Sequence, residues 1–385
     1  MAKLKFMIAP DKFKGSMTAA EATECITRGI LSVLPSSEIL RFPLSDGGEG
    51  LVDALLSRLG GKIMKSVVTG PLNNPVEARW AILDDGTTAV VEMATASGLN
   101  LLPKEKRNPL ETTTYGTGEL IKAVLDQQCT RLIIGIGGSA TNDAGAGMAQ
   151  VLGIGLYDHN GVEIGRGGKE LLKLEKIDLS GIDQRLAHLQ TIVAGDVDNP
   201  LTGPHGASLV YGPQKGASPN AAALLDRALI HFARMIKKDL GMEIEIIPGA
   251  GAAGGLGAGL IAFLQAEIRS GIDLVLDELQ VDEHLPGCRL VVTGEGRLDS
   301  QSLHGKVPVG IARRAAKYHV PVIALTGSIE NNLSAFYNAG IEACFTIADG
   351  PLALEESLRR GPELLESKTS QLFRLWKIAS SSGKI

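Results

Sequence analysis

Cysteine, aromatic side chains and long apolar runs are all scarce in this chain of 385 residues. The four cysteines, Cys25, Cys129, Cys288 and Cys344, are far apart and form no Cys-x-x-Cys pair, which excludes a zinc knuckle or a disulfide framework and predicts reduced, mostly buried thiols. Aromatics are only 4% of residues and the formal net charge is −5, so neither stacking platforms nor a general polyanion-binding surface is available, and no nucleic-acid partner is expected. No stretch approaches the ~18 apolar residues of a membrane span, and the N-terminal run is too short for a signal peptide. The expected address is therefore the cytoplasm, with no membrane partner. Phosphate-handling signatures are missing too. The pattern GxxxxGK[ST] is absent, because Gly305-Lys306 is followed by Val307, and neither HRD nor DFG occurs.

What the chain has in quantity is glycine, 47 residues, which points to tight turns and close backbone approach to something bound. Its length exceeds what one hydrophobic core usually serves, so two domains are expected. Residues 5–9 read as a strand, and Thr18 with Glu21 forms a capping box that opens a helix ending before Pro35. A second strand over 39–44 leads through Ser45-Asp46-Gly47-Gly48-Glu49-Gly50 into a helix over 51–59. From 62 to 93 the pattern becomes an antiparallel meander with turn chemistry at 70–75 and 84–86. Residues 131–136 and 190–194 read as buried strands, each running straight into a glycine-rich loop. Strand-like runs return at 289–293, 321–326 and 343–348, with a helix over 309–318. The fold class that follows is α/β: a Rossmann-like doubly wound parallel domain made from residues 1–69 and 288–385, interrupted by an inserted α+β domain over 70–287.

Ligands of open α/β sheets bind beyond the carboxyl ends of strands, and here those positions carry acids, amides, hydroxyls and lysines among glycines. That mixture suits phosphoryl transfer, which needs N–H groups and cations around phosphate oxygens, carboxylates for Mg²⁺ and a group to orient the attacking hydroxyl. The loop Gly137-Gly138-Ser139-Ala140-Thr141-Asn142-Asp143 could hold an anion, or Asn142 or Asp143 could simply cap the next helix. In Asp196-Val197-Asp198-Asn199-Pro200 the two carboxylates could share a metal, or form an Asx turn. Gly212-Pro213-Gln214-Lys215-Gly216 alone reads as a surface turn. Glu295, Arg297 and Asp299, followed by His304-Gly305-Lys306, crowd charge onto one strand-to-helix connection, with structural ion pairing as the competing account. Gly249-Ala250-Gly251-Ala252-Ala253-Gly254 matches GxGxxG after a strand-like run over 243–247, which keeps a nicotinamide-dependent oxidoreductase open. Close packing of small residues at a helix start is the competing account, since Asp273 opens a helix there.

Taken in order, Ala9-Pro10-Asp11-Lys12-Phe13-Lys14-Gly15-Ser16, Leu44-Ser45-Asp46-Gly47-Gly48-Glu49-Gly50, the loop 137–143, Asp196-Val197-Asp198-Asn199-Pro200-Leu201, the loop 212–216 and Thr293-Gly294-Glu295-Gly296-Arg297 closely resemble the bacterial glycerate kinase family. Lys12 and Ser45 depart conservatively from the commoner Ser and Ala. The resemblance implies ATP-dependent phosphorylation of D-glycerate to 2-phosphoglycerate, with 3-phosphoglycerate as the alternative product, and an active site in a cleft between a Rossmann-like domain and a second α/β domain. Within that expectation ATP and Mg²⁺ are the cofactors, glycerate and ATP are the partners, and association with further copies of the chain stays open. Asp196 is the first choice for the base and Asp299 the second, with Lys215 or Lys306 neutralising phosphoryl charge. Asp46, Glu49 and Glu295 are the candidates for Mg²⁺. Asp11, Lys14, Ser139, Thr141, Asn142, Asp143, Asn199, Gln214 and Arg297 are the candidates for binding substrate and phosphate.

Overall fold

The computed structural model describes residues 3–303, 305–330 and 333–381. It divides into two compact units: Met1–Asp46, Asp53–Leu59 and Ile272–Ile385 form the first, Gly47–Val52 and Gly60–Gly271 the second. The boundaries expected at 69/70 and 287/288 therefore move. Gly61–Thr69 pairs along its whole length with Pro75–Leu83 and so belongs to the second unit's sheet. Residues 272–287 belong to the first unit, where Arg314 binds Asp273, Asp277 and Asp282 at 3.2, 2.7 and 2.6 Å.

The first unit holds a five-stranded parallel sheet in the order Ala343–Thr346, Val322–Ile329, Leu290–Leu298, Lys5–Ile8, Glu38–Arg41. Numbered along the chain this is 2-1-3-4-5, a doubly wound order whose winding direction reverses between Lys5–Ile8 and Leu290–Leu298. Phe6, Ile8, Leu290 and Val292 join one apolar cluster with residues of the helices Ala19–Leu31 and Gly361–Ser381, while Met7 and Val291 between them are equally buried. Burial on both faces is why these strands read as continuous apolar runs. The capping box is present as expected: the Thr18 Oγ1 accepts from Glu21 N at 3.2 Å and Glu21 Oε2 accepts from Thr18 N at 2.8 Å.

The second unit holds a six-stranded sheet in the order Glu267–Ser270, Gln190–Gly195, Arg131–Gly135, Thr88–Glu92, Pro75–Leu83, Gly61–Thr69. The first four strands are parallel, and the expected meander supplies the antiparallel edge. One strand expectation fails: residues 243–247 form no strand but a turn-rich link, with Ile246 almost fully exposed. The four cysteines are free, three of them buried. Among the described residues no helix is long and apolar enough to cross a membrane.

Candidate active site

The winding reversal of the first sheet sets the strand ends Lys5–Ile8 and Leu290–Leu298 side by side, and the chain beyond each carries acids. Asp11 N donates to Gly294 O at 2.8 Å, which fixes the loop after the first strand against the end of the third. Gly296 lacks a side chain where a Cβ would come within 3.1 Å of Lys14 N. Burial, then the neighbouring carboxylate of Asp46, pushes the Asp11 carboxyl up to about 8, against the opposing pull of Lys12. Glu295, only 5% exposed, is pushed up to about 7 by burial and by Asp46 and Asp299, with Ser302 and Lys306 pulling the other way. One Glu295 oxygen, Oε1, is buried without a hydrogen-bond partner among the described residues. Such a group marks a place where a positive charge or a donor belongs.

The other candidates of this unit are less confined. Asp299 forms an Asx-type turn, its Oδ1 accepting from Gln301 N at 3.0 Å. Lys306 precedes the first residue of the helix Val307–Ala316. Lys14 is exposed, and Arg297 spreads its guanidinium between Asp299 at 3.4 Å and Glu330 at 3.7 Å. His304 lies outside the described residues.

In the second unit the loop after Arg131–Gly135 is held from below by Asp143. This wholly buried carboxylate accepts from Thr114 N and Thr114 Oγ1 at 2.8 and 2.9 Å, and from Gly145 N and Gly147 N at 3.3 and 3.4 Å. Its oxygens are engaged by the protein, so the capping account fits Asp143 better than ligand binding does; burial raises its proton affinity despite those bonds. Lys215 lies in the same interior, 2% exposed, donating to Ser139 Oγ and Thr141 O at 2.7 Å each. Burial pulls the ammonium down to about 7, partly offset by Asp143. The segment expected to be a surface turn therefore delivers a buried brace. Among the described residues Thr141 Oγ1 and Asn142 Oδ1 have no hydrogen-bond partner, while Asn142 Nδ2 donates to Ser208 Oγ at 3.0 Å.

The loop Gly47–Val52 is fastened to the same strand ends. Glu92, at the end of Thr88–Glu92, accepts from Gly50 N and Val52 N at 3.1 and 2.9 Å. A side chain at Gly135 would overlap Gly47 O, and one at Gly137 would come within 2.9 Å of Gly48 Cα. Glu49 is exposed on this loop. Among the described residues no three His, Cys, Asp or Glu side chains are grouped so as to hold a metal, so Asp46, Glu49 and Glu295 do not form a ready cage.

The glycine run that matched GxGxxG packs backbone against backbone. A Cβ at Gly251 would overlap Pro200 O, and one at Gly254 would overlap Thr141 O and lie 2.7 Å from Asn142 Cα. With no strand before it and no room around its glycines, it is no dinucleotide fingerprint, and the oxidoreductase expectation falls. Its work is to back the 141–144 loop, where Ala144 N donates to Gly254 O at 3.1 Å.

Asp196 and Asp198 are exposed just beyond Gln190–Gly195. Asn199 is committed within the loop, its Nδ2 donating to His205 O at 2.7 Å and its Oδ1 accepting from Tyr211 Oη at 2.6 Å. Gln214 is exposed. Sequence reading missed Glu92, Thr114 and Tyr211, whose partners lie at distances in the chain that no local pattern encodes.

A family model described as the glycerate kinase family matches residues 6–377. A glycerate kinase of Bacillus subtilis (strain 168) is 50% identical over 378 residues, covering 98% of this chain and 99% of that protein. A protein of Escherichia coli K12 named glycerate 2-kinase is 50% identical over 356 residues, covering 92% and 93%. A crystal structure from Salmonella typhimurium LT2, of a protein provisionally designated glycerate kinase 2, is 44% identical with a TM-score of 0.88, covering 99% of this chain and all of that one.

Proposed function

The chain belongs to the glycerate kinase family, and from that premise we propose that it transfers the γ-phosphoryl group of ATP to the 2-hydroxyl of D-glycerate, giving 2-phosphoglycerate and ADP. The name of the half-identical Escherichia coli relative supports the 2-hydroxyl as acceptor. Small diffusible substrates suit an enzyme of the cytoplasm.

The observation that carries the nucleotide half is Glu295, buried beside other carboxylates at the winding reversal of a doubly wound sheet, with an oxygen that has no hydrogen-bond partner among the described residues. Asp46 and Glu295 are the residues that would hold Mg²⁺, whose other ligands would be nucleotide phosphates and water. When bound there, Mg²⁺ neutralises phosphate oxygens. Lys306, at the start of Val307–Ala316, adds a positive charge for the transferring group, reinforced by the helix N-terminus.

The second unit supplies the acid half. Asp196 orients the attacking hydroxyl and accepts its proton as the new P–O bond forms and the bond to the ADP oxygen breaks. The loop 139–142 recognises glycerate, held to shape by Asp143 beneath it and by Lys215, which acts through Ser139 and Thr141. Asn199 positions the Asp196 loop through Tyr211.

The test is a coupled assay with ATP, Mg²⁺ and D-glycerate in which purified enolase, free of phosphoglycerate mutase, reports phosphoenolpyruvate. Prompt signal is expected, because enolase accepts only the 2-phosphate. Glycerate-dependent ADP without that signal would move the product to 3-phosphoglycerate, and no glycerate-dependent ADP would refute the assignment.

A further inference from the structure

An oxyanion bound at the loop 139–142 needs a cation, and the lysine already there is ill suited to supply it. Lys215 is spent on Ser139 and Thr141, and its interior position holds it near neutrality. Another cation is close in the backbone. Arg107 closes the short 3-10 turn Lys104–Lys106, and its carbonyl and Cβ lie against Gly216, the residue after Lys215, so closely that a side chain at Gly216 would overlap the Arg107 carbonyl. Gly216 also adopts φ +93°, a backbone state that suits glycine, but it is the missing Cβ that lets Arg107 approach.

The chain from Arg107 onward then runs along the candidate loop. Thr112 Oγ1 donates to Ala140 O at 2.8 Å, and Thr114 binds Asp143. Among the described residues no hydrogen bond, ion pair or ring contact engages the Arg107 side chain, and its Nε is buried with no acceptor. A guanidinium in that state is under-satisfied: its fixed fork is made for a planar oxyanion, and a buried donor of a charged group without a partner is costly. By contrast, the other arginine considered for this task, Arg297, already has two carboxylate neighbours.

We infer that Arg107 is the cation that receives the carboxylate of the acid substrate. The inference rests on the glycerate kinase reading and deepens it. The same fork could hold a nucleotide phosphate, but Arg107 belongs to the second unit, its backbone against Gly216, the neighbour of the Lys215 that binds Ser139 and Thr141, whereas the carboxylates suited to a Mg²⁺–nucleotide lie in the first.

The experiment compares wild type with Arg107→Ala and Arg107→Lys in the glycerate kinase assay, varying glycerate and ATP separately, and measures glycerate binding by calorimetry. Losing a charge-assisted pair should weaken glycerate binding and raise its KM about tenfold to a hundredfold in Arg107→Ala, with a smaller loss in Arg107→Lys. The KM for ATP should stay within about twofold of wild type, a split that general loss of structure would not produce. Arg107→Lys keeps the stem and the charge, so it decides the matter if Arg107→Ala fails to fold. Unchanged glycerate affinity in a folded variant, or an equal loss of ATP affinity, overturns the inference; the second would identify a phosphate contact. An inactive wild type would instead refute the kinase reading.

Discussion

Replacing Lys215 by Met removes a cation that the fold keeps in its interior, and the consequence depends on pH in a way that can be worked out. Burial lowers this ammonium from an ordinary 10.5 to about 7. Between those values the unfolded chain holds a proton on Lys215 that the folded chain has released, so the unfolded state binds more protons and stability rises with pH. Below about pH 7 both states are charged, and the penalty for burying the charge is constant. Lys215→Met has no such group. Wild type should therefore gain on the variant by up to about 1.4 kcal/mol per pH unit between pH 7 and 10. For a unit of this size that is a relative rise in Tm of roughly 3–5 °C per pH unit. Thermal unfolding of both proteins, followed by circular dichroism at half-unit steps from pH 6 to 9.5, measures it. Because other groups that titrate in the range are common to both, only the difference between the curves matters. Parallel Tm curves would refute the claim that the buried amine is neutral above pH 7. A wild type losing ground as pH rises would mean that its bonds to Ser139 and Thr141 require the charge.

Glu295→Gln should cut kcat by about a hundredfold or more, since it removes one of the two carboxylates proposed to hold Mg²⁺. It should also raise Tm above pH 7: a carboxyl pushed up to about 7 contributes stability below its unfolded value that is lost as pH rises through 7, so the advantage of the amide should fade towards pH 4.5. A Tm unchanged at every pH would contradict the burial argument. Gly254→Ala forces a Cβ onto Thr141 O at φ +71°, and should cost about 3 kcal/mol or more, seen as a Tm lowered by roughly 6–12 °C or as insoluble protein. Asp196→Asn should lower kcat by about 10²–10⁴ while Tm moves little, because Asp196 is exposed; kcat within about threefold of wild type would transfer the proton-accepting role to another residue such as Asp299.

What could be read in advance was what is local. Thr18 and Glu21 are three residues apart and their mutual capping is written in that spacing, and strands buried on both faces announce themselves as unbroken apolar runs such as Leu132-Ile133-Ile134. The acids and hydroxyls beyond strand ends were legible for the same reason. The rest depends on partners that only the fold supplies. Glu92 looks like a strand-end acid until Gly50 and Val52 come to it from forty residues away. Lys215 looks like a surface-turn lysine until Ser139 and Thr141 enclose it. The run over 243–247 shows the converse: its apolar residues resemble a strand, but although Leu201 N donates to Glu245 O it forms no strand ladder among the described residues, and Ile246 stays in water. The glycines at 249–254 fit a nucleotide pattern only until the carbonyls of Thr141 and Pro200 occupy the space beside them.

The interior position of Lys5–Ile8, one strand in from the sheet edge, sets a schedule for biosynthesis. This strand lies between Glu38–Arg41, made moments later, and Leu290–Leu298, made last but for two strands. At ribosomal speeds of about 5–20 residues per second the second partner arrives roughly 15–60 s after the first strand emerges. During that interval Phe6 and Ile8 belong to a two-stranded fragment with one apolar edge open, while the whole of Gly60–Gly271 can emerge and fold as a contiguous piece. The nascent N-terminus is therefore a natural client for a chaperone, and a chain terminated after residue 271 but before residue 290 would retain a foldable second unit on an orphaned pair of strands.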